Sequence, residues 1–249
     1  MRNLLEICID SVESGMIAET AGADMVELCD NLFEGGTTPG PGTIQAAREN
    51  LSLGLNVMIR PRGGDFLYSE LEFSIMKMDI VESKRAGADG VVFGILQANG
   101  EIDVERTKAL VELSRPMRVT FHRAFDMTPD PFRSLESVID SGADRILTSG
   151  HANFVHENIA LVKKLVEMAG NRITIMPGSG IDESNLAEII SNTGAREFHL
   201  TGRSVMESRM KFRKEGIYMG GLKEIPEFSR KIVNKKRILA FRAILDSFE

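Results

Sequence analysis

The chain is predicted to be an α/β protein, a (β/α)8 barrel of the TIM type in a single domain over residues 1–249. Three observations carry that expectation. Eight short apolar runs rich in β-branched residues alternate with about eight amphipathic segments, the arithmetic of such a barrel in 249 residues. A short motif recurs where a helical segment gives way to an apolar run: Ala21-Gly22-Ala23-Asp24, Ala86-Gly87-Ala88-Asp89, Ser141-Gly142-Ala143-Asp144 and Thr193-Gly194-Ala195-Arg196. Its glycine suits the left-handed residue that ends a helix. No linker or composition break divides the chain. A doubly wound open sheet is the alternative. It would usually have fewer strands, and no dinucleotide fingerprint follows the first one, so no nucleotide cofactor is expected.

Taken in order, the predicted strands are Leu4–Asp10, Met25–Asp30, Asn56–Pro61, Gly90–Leu96, Arg118–Phe125, Arg145–Gly150, Arg172–Gly178 and Glu197–Gly202. Helices are expected over Ser11–Thr20, Thr43–Leu51, Leu71–Arg85, Asp103–Ser114, Pro131–Asp140, Asn153–Met168 and Asp182–Ser191, with Asp103 and Asp182 as N-caps. Asn99-Gly100 marks a tight turn and a small hairpin after strand four. The third strand stops at Pro61, which cannot continue a central ladder. The segment 203–249 reads as a C-terminal extension packed on the barrel, irregular and rich in Met and basic residues before a last helix that runs from after Pro226 to about Phe248. Met206 and Met210, four apart, are expected to pack on one helical face.

Composition narrows the partners. An apolar share of 43% supports a sizeable core, and a net charge of −6 argues against nucleic acid. No window is long and apolar enough for a membrane span. The start meets Glu6 early and lacks the basic-then-apolar pattern of a signal peptide. Two cysteines, Cys8 and Cys29, are too few for a disulfide framework. A cytoplasmic location is therefore expected.

Chemistry in such a barrel collects at the C-terminal strand ends. Arg60 and Arg62 stand two apart where strand three becomes loop, on the same side by strand alternation. Their guanidinium forks suit a carboxylate or phosphate. Glu6-Ile7-Cys8 and Glu27-Leu28-Cys29 repeat one pattern on the first two strands, with Glu and Cys sharing parity and facing the interior. Two thiolates on adjacent strands suit a soft metal, Cu(I) in particular, with His199 of strand eight as a third ligand beside Cys8. The alternative is two small buried hydrophobes. Glu27 is expected to pair with Arg60. His122 and His199 are candidates for moving protons, with Glu27 or Asp126 as partner carboxylates. His151 and His156 are expected at the surface. Ser149, Gly178, Gly180 and Gly202 sit where barrels of this kind bind phosphate, Gly178-Ser179-Gly180 opening a helix.

With these residues in view, the chain resembles the CutC family. The strings that carry the resemblance are Leu5-Glu6-Ile7-Cys8-Ile9-Asp10-Ser11, Val26-Glu27-Leu28-Cys29, Glu34-Gly35-Gly36-Thr37-Thr38-Pro39, Ile59-Arg60-Pro61-Arg62-Gly63-Gly64-Asp65-Phe66, Thr120-Phe121-His122-Arg123-Ala124-Phe125-Asp126, Leu147-Thr148-Ser149-Gly150 and Lys211-Phe212-Arg213. The resemblance implies a TIM-type barrel, a cytoplasmic copper-homeostasis protein, a homo-oligomer (dimer or tetramer), and a Cu(I) role for Cys8 and Cys29. The residues themselves also support a second class, an isomerase-like or lyase-like enzyme acting by acid–base chemistry on a small anionic metabolite, a phosphorylated one included. There Arg60 and Arg62 clamp the anion, Gly178, Gly180 and Gly202 supply backbone donors, and His122 and His199 move protons. No lysine stands at a strand end, so no Schiff base is expected.

Overall fold

The computed structural model describes residues 2–219 and 224–248; residues 220–223 and 249 of the expected extension lie outside the described residues. Eight parallel strands appear in chain order: β1 (Leu4–Ile9), β2 (Met25–Leu28), β3 (Gly54–Met58), β4 (Gly90–Phe93), β5 (Arg118–Phe121), β6 (Arg145–Thr148), β7 (Thr174–Pro177) and β8 (Glu197–Leu200). They pair as β7-β6-β5-β4-β3-β2-β1-β8. A parallel bridge from Gly178 to His199 links the two ends of that order, so the sheet is the nearly closed barrel the alternation predicts.

Helices α1 (Val12–Thr20), α2 (Pro41–Asn50), α3 (Glu70–Arg85), α4 (Val104–Ser114), α5 (Pro131–Ser141), α6 (Ile159–Ala169) and α7 (Leu186–Thr193) alternate with the strands. Side-chain caps set several starts. Ser69 and Glu72 form a reciprocal capping box on α3, and Asp103 and Asp130 accept N–H groups in the first turns of α4 and α5. Asp182 does not cap α7. It turns onto Ser184, and the helix starts later, after Asn185. The turn at Asn99-Gly100 is a small hairpin held by a Leu96–Ile102 bridge.

The recurrent motif has a structural use beyond its glycine. Gly22, Gly87, Gly142 and Gly194 all adopt positive φ. The aspartate that follows reaches back to the preceding strand. Asp24 accepts the N–H of Leu5, Asp89 that of Leu55 and Asp144 that of Val119, each at 2.7–2.8 Å. Each aspartate's own N–H returns a bond to the carbonyl of the same residue. The motif is a clamp at the N-terminal rim of the barrel, stitching β1 to β2, β3 to β4 and β5 to β6. In the fourth copy Arg196 replaces the aspartate, and its carbonyl takes the N–H of Leu4.

Strand parity sorts the core. Ile7, Ile9, Val26, Leu28, Val57 and Val91 belong to the large apolar layer under the helices. Cys8, Cys29, Met58 and Val92 form a separate cluster inside the barrel, with Leu32 against it.

After β8 the chain departs from the expected irregular tail. Arg203–Glu207 and Ser229–Val233 pair antiparallel as β9 and β10, and α8 (Lys235–Asp246) follows. Met206 therefore lies on a strand, and Met210 is 60% exposed beyond it, so the two do not share a helical face. A spacing of four coincides with the helical period, but Met206 lies between Val205 and Glu207 on a strand. Helix α8 is tied back to the barrel by Arg242, which reaches the Asn3 carbonyl and Asp24.

Candidate functional site

At the C-terminal strand ends a cavity of about 420 Å³ opens, lined by Cys8, Glu27, Met58, Arg60, Phe66, His122, Gly180 and His199 among others. Its floor is polar. Register sets Cys8 opposite Glu27 and Glu6 opposite His199, yet the His199 ring reaches across the layer to hydrogen-bond Cys8, so the two side chains meet as expected. Glu6 is 1% exposed. It accepts from Asn56 Nδ2 at 2.6 Å and from His199 Nδ1 at 2.7 Å, with an Arg145 nitrogen at 3.6 Å. The other His199 nitrogen, Nε2, lies 3.6 Å from Glu27.

Ionisation in this cluster follows from contact. Burial disfavours charge on Glu6, yet the His199 hydrogen bond and the nearby Arg145 hold its carboxyl below the ordinary range. Burial works against charge on His199 too, but Glu27, Cys8 and Glu6 together keep it protonated well above its usual value. Burial pushes Glu27 up, and the neighbouring Cys8 thiolate and Glu6 add to it. The Cys29 thiol, hydrogen-bonded to Cys8, pulls Cys8 down to about 5 in spite of burial. That same bond, with burial, drives Cys29 well up. Cys8 is thus the more acidic sulfur of the pair, and Cys29 Sγ donates to Glu27 Oε2 at 3.5 Å. Cys8 Sγ, Cys29 Sγ and a Glu27 oxygen all lie within 4.8 Å of one another.

The two sequence-predicted arginines part company. Arg60 is 5% exposed. It does not pair with Glu27; β3 ends at Met58, and Arg60 beyond it turns toward loops. Its terminal nitrogens donate to the carbonyls of Glu34, Gly36 and Gly64 at 2.6–2.9 Å. This pins the Glu34-Gly35-Gly36 loop over the sulfurs. Gly36 has φ of 92°, and a Cβ there would stand 3.1 Å from Cys29 Sγ, so only glycine lets the backbone come so near. Arg62 lies outside the cavity, bound to Glu72 and Asp65 and to the carbonyls of Gly63, Asp65 and Leu67. The expected two-arginine clamp does not form.

The other predicted residues divide likewise. His122 lines the cavity. Its Nδ1 accepts the Ala124 N–H, so Nε2 carries the ring proton, and burial together with Arg60 lowers its pKa to about 3. Asp126 reaches the rim, but Thr148, Ser149, Arg123 and the His151 N–H occupy its oxygens, which makes it a loop brace and not a free partner for a histidine. Ser149 is fully buried in that brace. Gly178 faces Leu147 and His199 side chains, and Gly202 faces Ile238 and Phe241 of α8. Both are packing positions. Gly180 alone of the glycines named for an anion lines the cavity, and α7 starts only at Leu186, so no helix N-terminus meets it. His156 stacks on Phe154 at the surface as expected, while His151 is half-buried against Phe125.

Two contributors escaped the sequence reading. Arg145, 3% exposed, sits at the start of β6, away from the C-terminal strand ends, and it bridges Glu6 and Glu197. Asn56 was read only as a strand residue. For both, the available signal was inward parity: Arg145 shares it with Leu147, and Asn56 with Met58.

Comparison with known proteins agrees with this architecture. The CutC family model matches residues 3–204. A Homo sapiens protein named copper homeostasis protein cutC homolog is 47% identical over 97% of this chain and 88% of its own length. A CutC family protein of Chromobacterium violaceum is 46% identical over 99% of each. The crystal structure of a CutC copper homeostasis protein from Streptococcus agalactiae superposes with a TM-score of 0.77 at 39% identity, covering 80% of this chain and 98% of that one.

Proposed function

The chain belongs to the CutC family, and from that premise we propose that it binds Cu(I) through Cys8 and Cys29 on the barrel floor, with copper as its cargo. The observation that supports this most is the sulfur pair itself: two thiols and a Glu27 oxygen within 4.8 Å of one another, beneath a cavity that leads to Cys8. Thiolates are soft donors, and Cu(I) accepts low coordination by them. Exchange of the Cys29 thiol proton for a Cu(I) ion leaves the net charge of the floor unchanged. That answers the repulsion expected from Arg60 and from protonated His199. His199 is engaged by Glu6 and Glu27 and is not a ligand in this reading. Only two thiolates and one carboxylate oxygen remain, which suits Cu(I) better than the four-ligand set Zn(II) prefers. Glu27 Oε2, 3.5 Å from Cys29 Sγ, is the third donor.

Competition titration tests this. Wild-type protein is expected to hold one Cu(I) against a competing chelator, Cys8→Ser/Cys29→Ser to lose it, and Zn(II) to bind more weakly. Copper retained by the double variant refutes the assignment.

The setting that fits this chemistry is the reducing cytoplasm, where both cysteines stay free. No helix among the described residues is long and apolar enough to cross a membrane. The tail exposes Val205, Met210, Phe212 and Met219 by 60–82%. A second copy covering them makes the homo-oligomer expected from the family. Light scattering that finds only monomer refutes that assembly.

A further inference from the structure

Above the sulfurs, the same cavity holds polar atoms that copper does not use. Arg60 Nε and His122 Nε2 are buried and have no hydrogen-bond partner in the protein. Arg60 is also a buried cation without a counter-charge: none of the ion pairs among the described residues includes it, and its terminal nitrogens donate to carbonyls, with the Tyr68 hydroxyl beside the guanidinium. A buried unpaired charge and two orphaned donors are costly. Both residues line the cavity. One ring joins them: Phe66 lies 5.1 Å from the Arg60 guanidinium carbon and 5.0 Å from the His122 ring. Glu27 Oε1, the third orphaned atom, belongs to the floor of the same space. The walls between are apolar, formed by Met58, Leu147, Ile181 and Leu200.

We propose that this cavity is a binding site for a small hydroxycarboxylate, with its carboxylate on Arg60 Nε and His122 Nε2 and a hydroxyl directed to Glu27 Oε1. One fixed positive charge matches a monoanion. His122 adds a neutral donor, because its Nδ1 is taken by Ala124 N–H and the proton is on Nε2. A phosphate dianion is matched less well. The strand-seven loop offers no helix N-terminus, since α7 begins at Leu186, and Arg62 is engaged elsewhere. About 420 Å³ accommodates an acid of a few to six carbons. The carboxylate end of the site is separate from the sulfurs, since neither Arg60 nor His122 is among the metal donors proposed above, and the shared Glu27 offers Oε1 to the acid and Oε2 to the metal.

The test is calorimetric titration of metal-free protein with D-gluconate, 2-hydroxyisovalerate and inorganic phosphate, in wild type, His122→Asn, Arg60→Lys and Cys8→Ser/Cys29→Ser. Asparagine at 122 keeps an acceptor for Ala124 N–H and deletes the Nε2 donor, so its fold survives. At least one hydroxy acid is expected to bind wild type and the cysteine variant alike. It should bind roughly tenfold to a hundredfold more weakly to His122→Asn. In parallel, the His122 ring nitrogens observed by NMR should show the Nε2–H form and shift on addition of the acid. Failure of both acids, tighter binding of phosphate than of either acid, or equal binding to His122→Asn each overturns the proposal. Loss in the cysteine variant alone would overturn the independence from the sulfurs while leaving the copper assignment standing.

Discussion

Replacing Glu6 with glutamine probes what holds the floor of the barrel together. Glu6 is 1% exposed and is shared by Asn56, His199 and Arg145. Glutamine keeps the size but loses the charge. It leaves the 3%-exposed Arg145 with only Glu197, and His199 with a neutral neighbour at Nδ1. Removing one member of a buried ionic cluster costs about 3–5 kcal/mol, because the remaining charge stays buried and uncompensated. For a domain of this size that corresponds to a Tm lower by about 6–20 °C, measurable by thermal unfolding monitored by circular dichroism. Adding Arg145→Met should recover a good part of the loss, since it removes the stranded cation. The pH dependence has a defined sign. The Glu6 contribution exists above its ordinary 4.5 and is lost as pH falls through its lowered folded value. The His199 contribution is full below its ordinary 6.5 and fades as pH rises through its raised folded value. The gap between wild type and Glu6→Gln should therefore be widest between those two pH values. A Tm unchanged by the single substitution, or no recovery on adding Arg145→Met, refutes this reading of the network.

Other outcomes follow from single residues. His122, held near 3 by burial and Arg60, should stay neutral across pH 5 to 8 in an NMR titration, and a midpoint inside that range contradicts the structure. The unfolded chain takes up that proton as pH drops below 6.5, so His122 also makes the fold less stable toward acid. Gly202→Ala puts a methyl group 2.5 Å from Ile238 Cδ1 at a φ of 55°, and should lower stability by about 2–4 kcal/mol without changing Cu(I) affinity. A change in copper affinity alone would return Gly202 to the site. Arg62→Met should leave hydroxy-acid binding within about twofold, because exposed ion pairs with Glu72 and Asp65, and not a ligand, occupy that guanidinium. A large loss would place it back in a clamp.

The barrel was legible because its signals are periodic and local. Alternation of apolar runs with amphipathic segments, and the recurring Gly-Ala-Asp clamp, needed no knowledge of distant contacts. Parity likewise placed Glu6, Cys8, Glu27 and Cys29 inside. What parity does not contain is the stagger between strands: His199 does reach Cys8, but its register partner is Glu6, which spacing did not show. Strand ends were a second limit. Arg60 and Arg62 share parity only if the strand continues, but β3 stops at Met58 and the two side chains diverge. Loop residues form partnerships that spacing cannot show: Asp126 with Ser149, Arg60 with the carbonyls at 34, 36 and 64. Glycines at strand ends carried two meanings in the sequence, ligand cradle or close packing. The neighbours at Gly178 and Gly202, which come from residues far along the chain, decide for packing.

X-ray absorption at the copper edge of the Cu(I)-loaded protein addresses the sulfur pair most directly. Cys8 and Cys29, with Glu27 beside them, predict a shell of two sulfur donors and one light atom at most, and Cys8→Ser should reduce the sulfur count to one. A shell of nitrogen and oxygen donors only, or one that Cys8→Ser and Cys29→Ser leave unchanged, would place copper elsewhere and contradict the assignment of the barrel floor as its site.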